Sequence, residues 1–219
     1  MDNKFLELVS SPLMNLDHTY RYSGTKLVEA ESLSQHIIDT VMLGLKIIDE
    51  VNKIAGFEYI QSSKYVMKAV YHDLEEVITG DIPRPVKYYS EGTRESLKDV
   101  ADSVAKKFFK SQFSNSELHY ELWRDAKEEP EGLILKLVDT LVVANKVIKE
   151  VSLLHNYYML RVAHEVLQYL KEYKIDYFTI PVNHYLSTVV RGAIKSMKDT
   201  LSENKEIMNS LNIYGHSMI

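Results

Sequence analysis

The 219-residue chain contains no cysteine. That excludes disulfides, cysteine-ligated zinc and a thiol nucleophile, and says little about compartment. Proline and glycine are scarce, at 5 and 8 residues, so long patterned segments fill the chain. No apolar run approaches the length of a membrane span. The N-terminal MDNKFLELVSS lacks the basic start and apolar core of a secretory signal. Nor is there a basic excess. The net charge is −5 and the pI about 5.9, which argues against a nucleic-acid surface while leaving room for a small phosphate pocket. With 45% hydrophobic residues, the expectation is a cytoplasmic, all-α protein built as a single domain.

No internal repeat or low-complexity tract interrupts the chain. SLSQ at 32–35 has the form of a capping box with Ser32 as N-cap, and opens a helix to about Ile54. A second helix is expected from Ser62 or Ser63 to Gly80, a natural C-cap. Pro83 and Pro85 then make GDIPRPVKYYSEG a loop. A third helix covers about 91–110, and 111–129 reads as loop with room for a short helix. Pro130 fits the first turn of a helix through LILKLVDTLVVANKVIKEV. Further helices are expected at about 157–173 and 178–201. The domain is expected to span 1–201, with 202–219 a loosely held tail in which Tyr214 and His216 carry no pattern.

YHDLEEVITGDIPRP, residues 71–85, crowds Asp73, Glu75, Glu76 and Asp81 around His72. At about 100° per helical residue, Glu76 lies about 40° and Asp73 about 100° from His72, in the arc that also holds Tyr65, Val66, Ala69, Val70 and Val77. Lys68 and Glu75 fall on the other side, toward solvent. The 32–54 helix has an apolar face of Leu33, Ile37, Thr40, Gly44, Ile47 and Val51 with His36 at its edge. In LILKLVDTLVVA the only charges are Lys136 and Asp139, so that helix is expected to be central and buried.

Each polar residue has an ordinary explanation. A lone core histidine is usually hydrogen-bonded, and Asp139 could pair with Lys136 one turn away. Together, two histidines and two aspartates face inward from three helices, and unpaired buried charge is costly. Helical-bundle cores are where such sites are built. Two histidines and two carboxylates suit a divalent ion of the Mn²⁺, Fe²⁺ or Co²⁺ type, with Mg²⁺ or Zn²⁺ as alternatives.

The order His…His-Asp…Asp resembles the signature of the HD phosphohydrolase superfamily, with His36, His72, Asp73 and Asp139 at its metal-binding positions. YHDLEEVITGDIPRPVKYY is similar to the helix-plus-loop segment of bacterial HD-domain 5′-deoxyribonucleotidases. SLSQH and KLVDTL resemble their first-histidine and last-aspartate segments. The likeness covers about residues 10–175 and implies an HD-type helical bundle with a buried metal site.

It implies metal-dependent removal of the 5′-phosphate from deoxynucleoside monophosphates, and a tendency to dimerise. The partner would be a small-molecule nucleotide, with no nucleic acid and no membrane. Glu76 and Asp81 would handle the attacking water; Arg21 would hold phosphate, and Lys87 is a weaker phosphate contact. Tyr22 stands where that family has a sugar-facing tryptophan, which puts sugar and base selectivity in question. A viral branch, the dATP triphosphohydrolases, shares much of this skeleton. An HD-type dNTP triphosphohydrolase is therefore one alternative, and a non-catalytic nucleotide-binding protein another.

Overall fold

The computed structural model describes residues 4–87 and 89–210. The order is α1 (Lys4–Val9), a 3₁₀ turn (Pro12–His18), α2 (Leu33–Ala55), α3 (Ser62–Tyr71), α4 (Glu76–Thr79), α5 (Arg84–Lys87), α6 (Glu91–Gln112), α7 (Ser116–Arg124) and α8 (Glu129–Ile148). A π-helical turn (Lys149–Leu153) and a 3₁₀ turn (Tyr157–Met159) lead to α9 (Leu160–Glu172), α10 (Ile180–Glu203) and α11 (Lys205–Ser210). Among the described residues the only β pairing is an isolated bridge between Tyr20 and Ser32, so the all-α expectation holds. No helix among them is long and apolar enough to cross a membrane.

Most expected helices are present. Ser32 caps α2, its hydroxyl accepting from the Gln35 amide at 3.3 Å. Pro130 sits in the first turn of α8, whose Ile134, Leu135, Leu137, Val138 and Val142 are all buried.

Three expectations need correction. The helix drawn from 62 to 80 breaks after Tyr71, where amides of Leu74, Glu76 and Val77 bond three residues back, to Tyr71, Asp73 and Leu74. That tighter winding invalidates a 100° count across the break. Glu75 accordingly does not face solvent, and neither does Lys68, which lies in the regular part of α3 and is covered by the 125–128 turn. Lys68 is buried, and Glu75 accepts a 2.5 Å hydrogen bond from the Trp123 indole. The loop after Gly80 contains the short helix α5. Within the expected loose tail, α10 runs to Glu203 and Met208 of α11 is buried in the main core; Tyr214 and His216 lie outside the described residues.

Two apolar clusters form the interior. The larger joins α2, α3, α8, α9 and α10. The smaller joins Leu33 and Ile37 of α2 to Tyr71, Leu74, Ala105, Phe108, Phe109 and Tyr120. His36 lies on α2 where the clusters meet. Gly44 lets α3 close on α2: a Cβ there would stand 1.8 Å from the Tyr65 hydroxyl. Tyr65 fills that space and donates to Thr40 O at 2.8 Å. This close approach carries His72, two turns on from Tyr65, to His36, with ring centroids 5.5 Å apart.

Candidate active site

α2 supplies His36, the tightened turn after α3 supplies His72 and Asp73, and α8 supplies Asp139. One ligand atom each from His36, His72 and Asp139 lie within 4.8 Å of one another. Asp73 adjoins them, its Oδ2 3.1 Å from His72 Nε2 and 4.0 Å from His36 Nε2. Asp139 Oδ1 is 3.2 Å from His36 Nε2. The four sequence-derived residues thus converge. Asp139 finds its neighbours in the His36 ring and the Lys127 ammonium, in place of the Lys136 pairing considered from sequence.

The protonation preferences of Asp73, Asp139 and His36 favour a cation, whereas His72 is raised above its ordinary value because, although burial opposes it, the Asp73 charge favours the protonated ring unless a bound cation neutralises that charge. Although burial opposes charge, His72 and Lys127 hold Asp73 well below the usual carboxylate range, and His36 and Lys127 do the same for Asp139. Burial, helped by the Arg21 charge, brings His36 down to about 4, so its ring is neutral at pH 7. His72 Nδ1 donates to Ala69 O at 2.7 Å, which aims Nε2 and its lone pair into the cluster. Both Nε2 atoms are buried without a hydrogen-bond partner. Two orphaned nitrogens facing two anionic carboxylates fit one divalent ion.

Glu76 is buried beside this set. Burial and the Asp73 charge push its carboxyl up to about 8, against the pull of Lys87. Its Oε1 accepts from Lys87 Nζ at 3.3 Å, and Oε2 is buried without a partner. Burial and the same Asp73 charge push Glu75 up to about 7.

Arg21 reaches Asp73 Oδ2 at 4.0 Å and Glu31 Oε1 at 3.7 Å; its Nε and Nη1 are buried without hydrogen bonds. Tyr22 has a φ of 62°, a left-handed conformation that costs on the order of 1–3 kcal/mol and persists only where neighbours enforce it. Asp81 does so: its Oδ2 accepts from the Tyr22 amide at 2.6 Å, and its carbonyl accepts from Ser23 Oγ at 2.7 Å. Asp81 therefore has a second task, fixing the Arg21–Tyr22 loop.

Arg21, Tyr22, Asp73, Glu76, Asp81, Lys87 and Asp139 line one cavity of about 970 Å³, together with Lys127 and a wall of Tyr158, Arg161, Val162, Val166 and Tyr169. Sequence reasoning missed Glu31, Lys127, Glu150 and this far wall. Buried Glu31 lies 3.8 Å from His36 Nδ1. Glu150 accepts from the amides of Val28 and Glu29 at 2.9 and 3.0 Å and from Asn156 Nδ2 at 2.7 Å. Lys146 lies 3.1 Å from Glu150 and donates to Glu29 O at 2.7 Å. This network ties the loop after Tyr22 to the end of α8. No short motif marks these residues; Glu31 directly before an N-cap was the one available cue.

Comparison with known proteins agrees with this arrangement. The profile of the family described as 5′-deoxynucleotidase YfbR-like matches residues 8–190. The 5′-deoxynucleotidase YfbR of Salmonella typhi is 26% identical over 165 residues, 72% of this chain and 81% of that protein. An HD-domain phosphohydrolase from Listeria innocua superposes with a TM-score of 0.72 at 22% identity, covering 95% of this chain and 98% of the other. A cyanophage S-2L HD phosphohydrolase, solved with dA and one catalytic Zn²⁺ ion, gives 0.54 at 18% identity over 84% and 95% of the two chains. The last two share the fold, while the profile match spans most of the sequence, including the four converging residues: the chain belongs to the YfbR-like 5′-deoxynucleotidase family.

Proposed function

We propose that the protein is a metal-dependent phosphohydrolase that releases inorganic phosphate from deoxynucleoside 5′-monophosphates. The observation that carries this reading lies beneath the 970 Å³ cavity that Asp73, Glu76 and Asp139 line: two buried histidine nitrogens face the two anionic carboxylates beside a buried, partnerless Glu76 oxygen. His36, His72, Asp73 and Asp139 would hold one divalent ion of the Co²⁺, Mn²⁺ or Fe²⁺ class. Such an ion supplies Lewis acidity to a phosphate oxygen and makes water a stronger acid.

The remaining chemistry falls to the chain. Arg21, with two unsatisfied donors, binds the phosphate dianion. Glu76 takes the proton from the attacking water as the new oxygen–phosphorus bond forms. A carboxyl whose proton affinity lies near neutrality is suited to accept that proton and pass it on. The phosphorus–O5′ bond breaks and the nucleoside leaves as an alcohol, protonated from solvent. Asp81 holds the Arg21–Tyr22 loop and lines the cavity beside Glu76. Lys87 acts through Glu76, to which it is bonded. The nucleoside lies against Tyr22 and the wall formed by Tyr158, Val162, Val166 and Tyr169, whose aromatic and apolar surface suits a base and sugar. A homodimer in the cytoplasm belongs to the same proposal.

One feature favours a second reading. Lys26, Lys136 and Arg161 also line the cavity, more positive charge than one phosphate needs. A dNTP triphosphohydrolase would use it to hold a phosphate tail.

Purified protein incubated with dAMP, AMP and dATP, each with Co²⁺, Mn²⁺, Mg²⁺ or Zn²⁺, separates the readings by product. Phosphate and deoxyadenosine from dAMP are expected. Triphosphate and deoxyadenosine from dATP, with dAMP untouched, would establish the second reading. Nucleotide binding without turnover under every metal would make the protein a non-catalytic binder.

A further inference from the structure

Lys127 stands in the turn between α7 and α8, a stretch of charged residues with no motif, yet its side chain ends at the metal-site carboxylates. Its Nζ is 3.5 Å from Asp73 Oδ1, while Arg21 Nη1 is 4.0 Å from Asp73 Oδ2. The two cations therefore approach opposite oxygens of one carboxylate, and both line the cavity.

The mounting of this turn is built from buried chemistry. Lys68, almost fully buried, donates to the carbonyls of Asp125 at 2.5 Å and Glu128 at 2.9 Å. Ala126 is buried in the main core. Gly132 lets the first turn of α8 press against the same backbone; a Cβ there would stand 2.4 Å from the Lys127 carbonyl carbon and 2.7 Å from Ala126 O. So the backbone on both sides of Lys127 is clamped, while its side chain is 41% exposed and free to follow a ligand. Committing a buried lysine to two carbonyls is a costly way to place a turn that has only a solvent role.

A counter-ion role toward Asp73 would account for Lys127 only while Asp73 lacks another cation. Asp73 already faces His72 at 3.1 Å, and as a metal ligand it would give its lone pairs to the ion. Of the other carboxylates whose charge Lys127 feels, Asp139 would likewise be given to the ion, Glu75 is taken by the Trp123 indole and Glu76 by Lys87, which leaves the ammonium open to an anion in the cavity. Lys87, the other lysine on this part of the cavity, is engaged by Glu76 at 3.3 Å.

We propose that Lys127 is a phosphate-binding residue, closing with Arg21 on two non-bridging oxygens of the substrate phosphate and of the phosphate product. The assignment rests on the phosphohydrolase reading for its substrate, but direct phosphate binding tests it without turnover. Arg21 supplies a planar fork from one side and Lys127 a compact charge from the other. Neither has to displace the groups that hold Glu76.

The experiment is calorimetric titration of inorganic phosphate into the metal-loaded wild type, Lys127→Met, Lys127→Gln and Lys127→Arg, with metal content measured for each. KM and kcat for dAMP are recorded alongside. The Met and Gln variants should keep full metal content, bind phosphate about tenfold more weakly and show a matching rise in KM. The Arg variant should recover most of both. Phosphate affinity within about twofold of wild type in Met and Gln variants that hold metal overturns the proposal. So does a wild type that binds no phosphate, or a loss of binding that merely tracks lost metal. If dAMP is not hydrolysed by wild type while phosphate binding still depends on residue 127, the phosphohydrolase reading fails and the anion site stands.

Discussion

The four proposed metal ligands stand on or beside helices, whereas Arg21, Tyr22 and Lys127, which would meet the phosphate end of the substrate, stand on loops. On the floor, His36 and Asp139 belong to α2 and α8, and His72 and Asp73 directly follow α3. Packing sets their positions, through Tyr65 filling the space at Gly44 and through the buried faces of α2 and α8. On the rim, Arg21, Tyr22 and Lys127 occupy segments with little apolar burial of their own. Polar contacts from distant residues hold them: Asp81 on Tyr22, Glu150 on residues 28 and 29, Lys68 on the 125–128 turn. A floor fixed by packing keeps its geometry when one rim contact is lost. The two regions should therefore fail separately, the floor in metal binding and turnover, the rim in substrate affinity.

Asp73→Ala tests the floor hardest. Removing this carboxylate should empty the site of metal and lower kcat/KM by about a thousandfold or more. Metal content by mass spectrometry, read with kcat, checks it; full metal occupancy in this variant would remove Asp73 from the ligand set. Glu76→Gln sharpens the comparison, because Glu76 belongs to the floor without being a ligand. Metal content and phosphate affinity should stay at wild-type values while kcat falls by about a hundredfold. Near-normal turnover would move the proton-accepting role to Asp81.

The same division explains what the sequence revealed. The inward positions of His36, His72 and Asp139 were legible because helical periodicity places a residue without knowledge of its neighbours; Asp73, past the end of α3, was legible from its place beside His72 in the motif. The period count failed where the winding tightened after Tyr71, and so it misplaced Glu75. It also misplaced Lys68, which lies inside a regular helix. A solvent-side position on one helix says nothing about a second segment arriving there, and the 125–128 turn arrives to take the ammonium. Lys127, Glu31 and Glu150 look like ordinary solvated charges in RDAKEEPEG, EAES and VIKEVS. The significance of Lys127 and Glu150 lies in contacts with residues far along the chain, and that of Glu31 in ion pairs with Arg21 and His36 across a turn; no local pattern encodes those. Asp81 was legible as part of a motif, yet its bond to the strained Tyr22 backbone was not.

The smallest expected effect, and the cleanest probe of the rim, is at Glu150. The carboxylate accepts from two amides and from Asn156 and faces Lys146. Although burial opposes ionisation, these donors bring its folded-state pKa from 4.5 down to about 2. A depressed carboxylate contributes stability that is fully present above the unfolded value and is lost as pH falls through the folded one. The wild type should therefore lose this contribution between about pH 4.5 and about pH 2. Glu150→Gln removes the charge and turns an NH₂ group toward donors, so it should lower Tm at pH 7 by several degrees, in keeping with about 1–3 kcal/mol for a charged hydrogen-bonding group. Between pH 4.5 and 2 the variant should lose less stability than wild type, and the two melting curves should converge. Because the tether reaches the loop that follows Tyr22, KM for dAMP should rise severalfold while metal content stays unchanged. A fall in kcat with lost metal, at unaltered KM, would mean that Glu150 supports the floor and that the two regions do not fail separately.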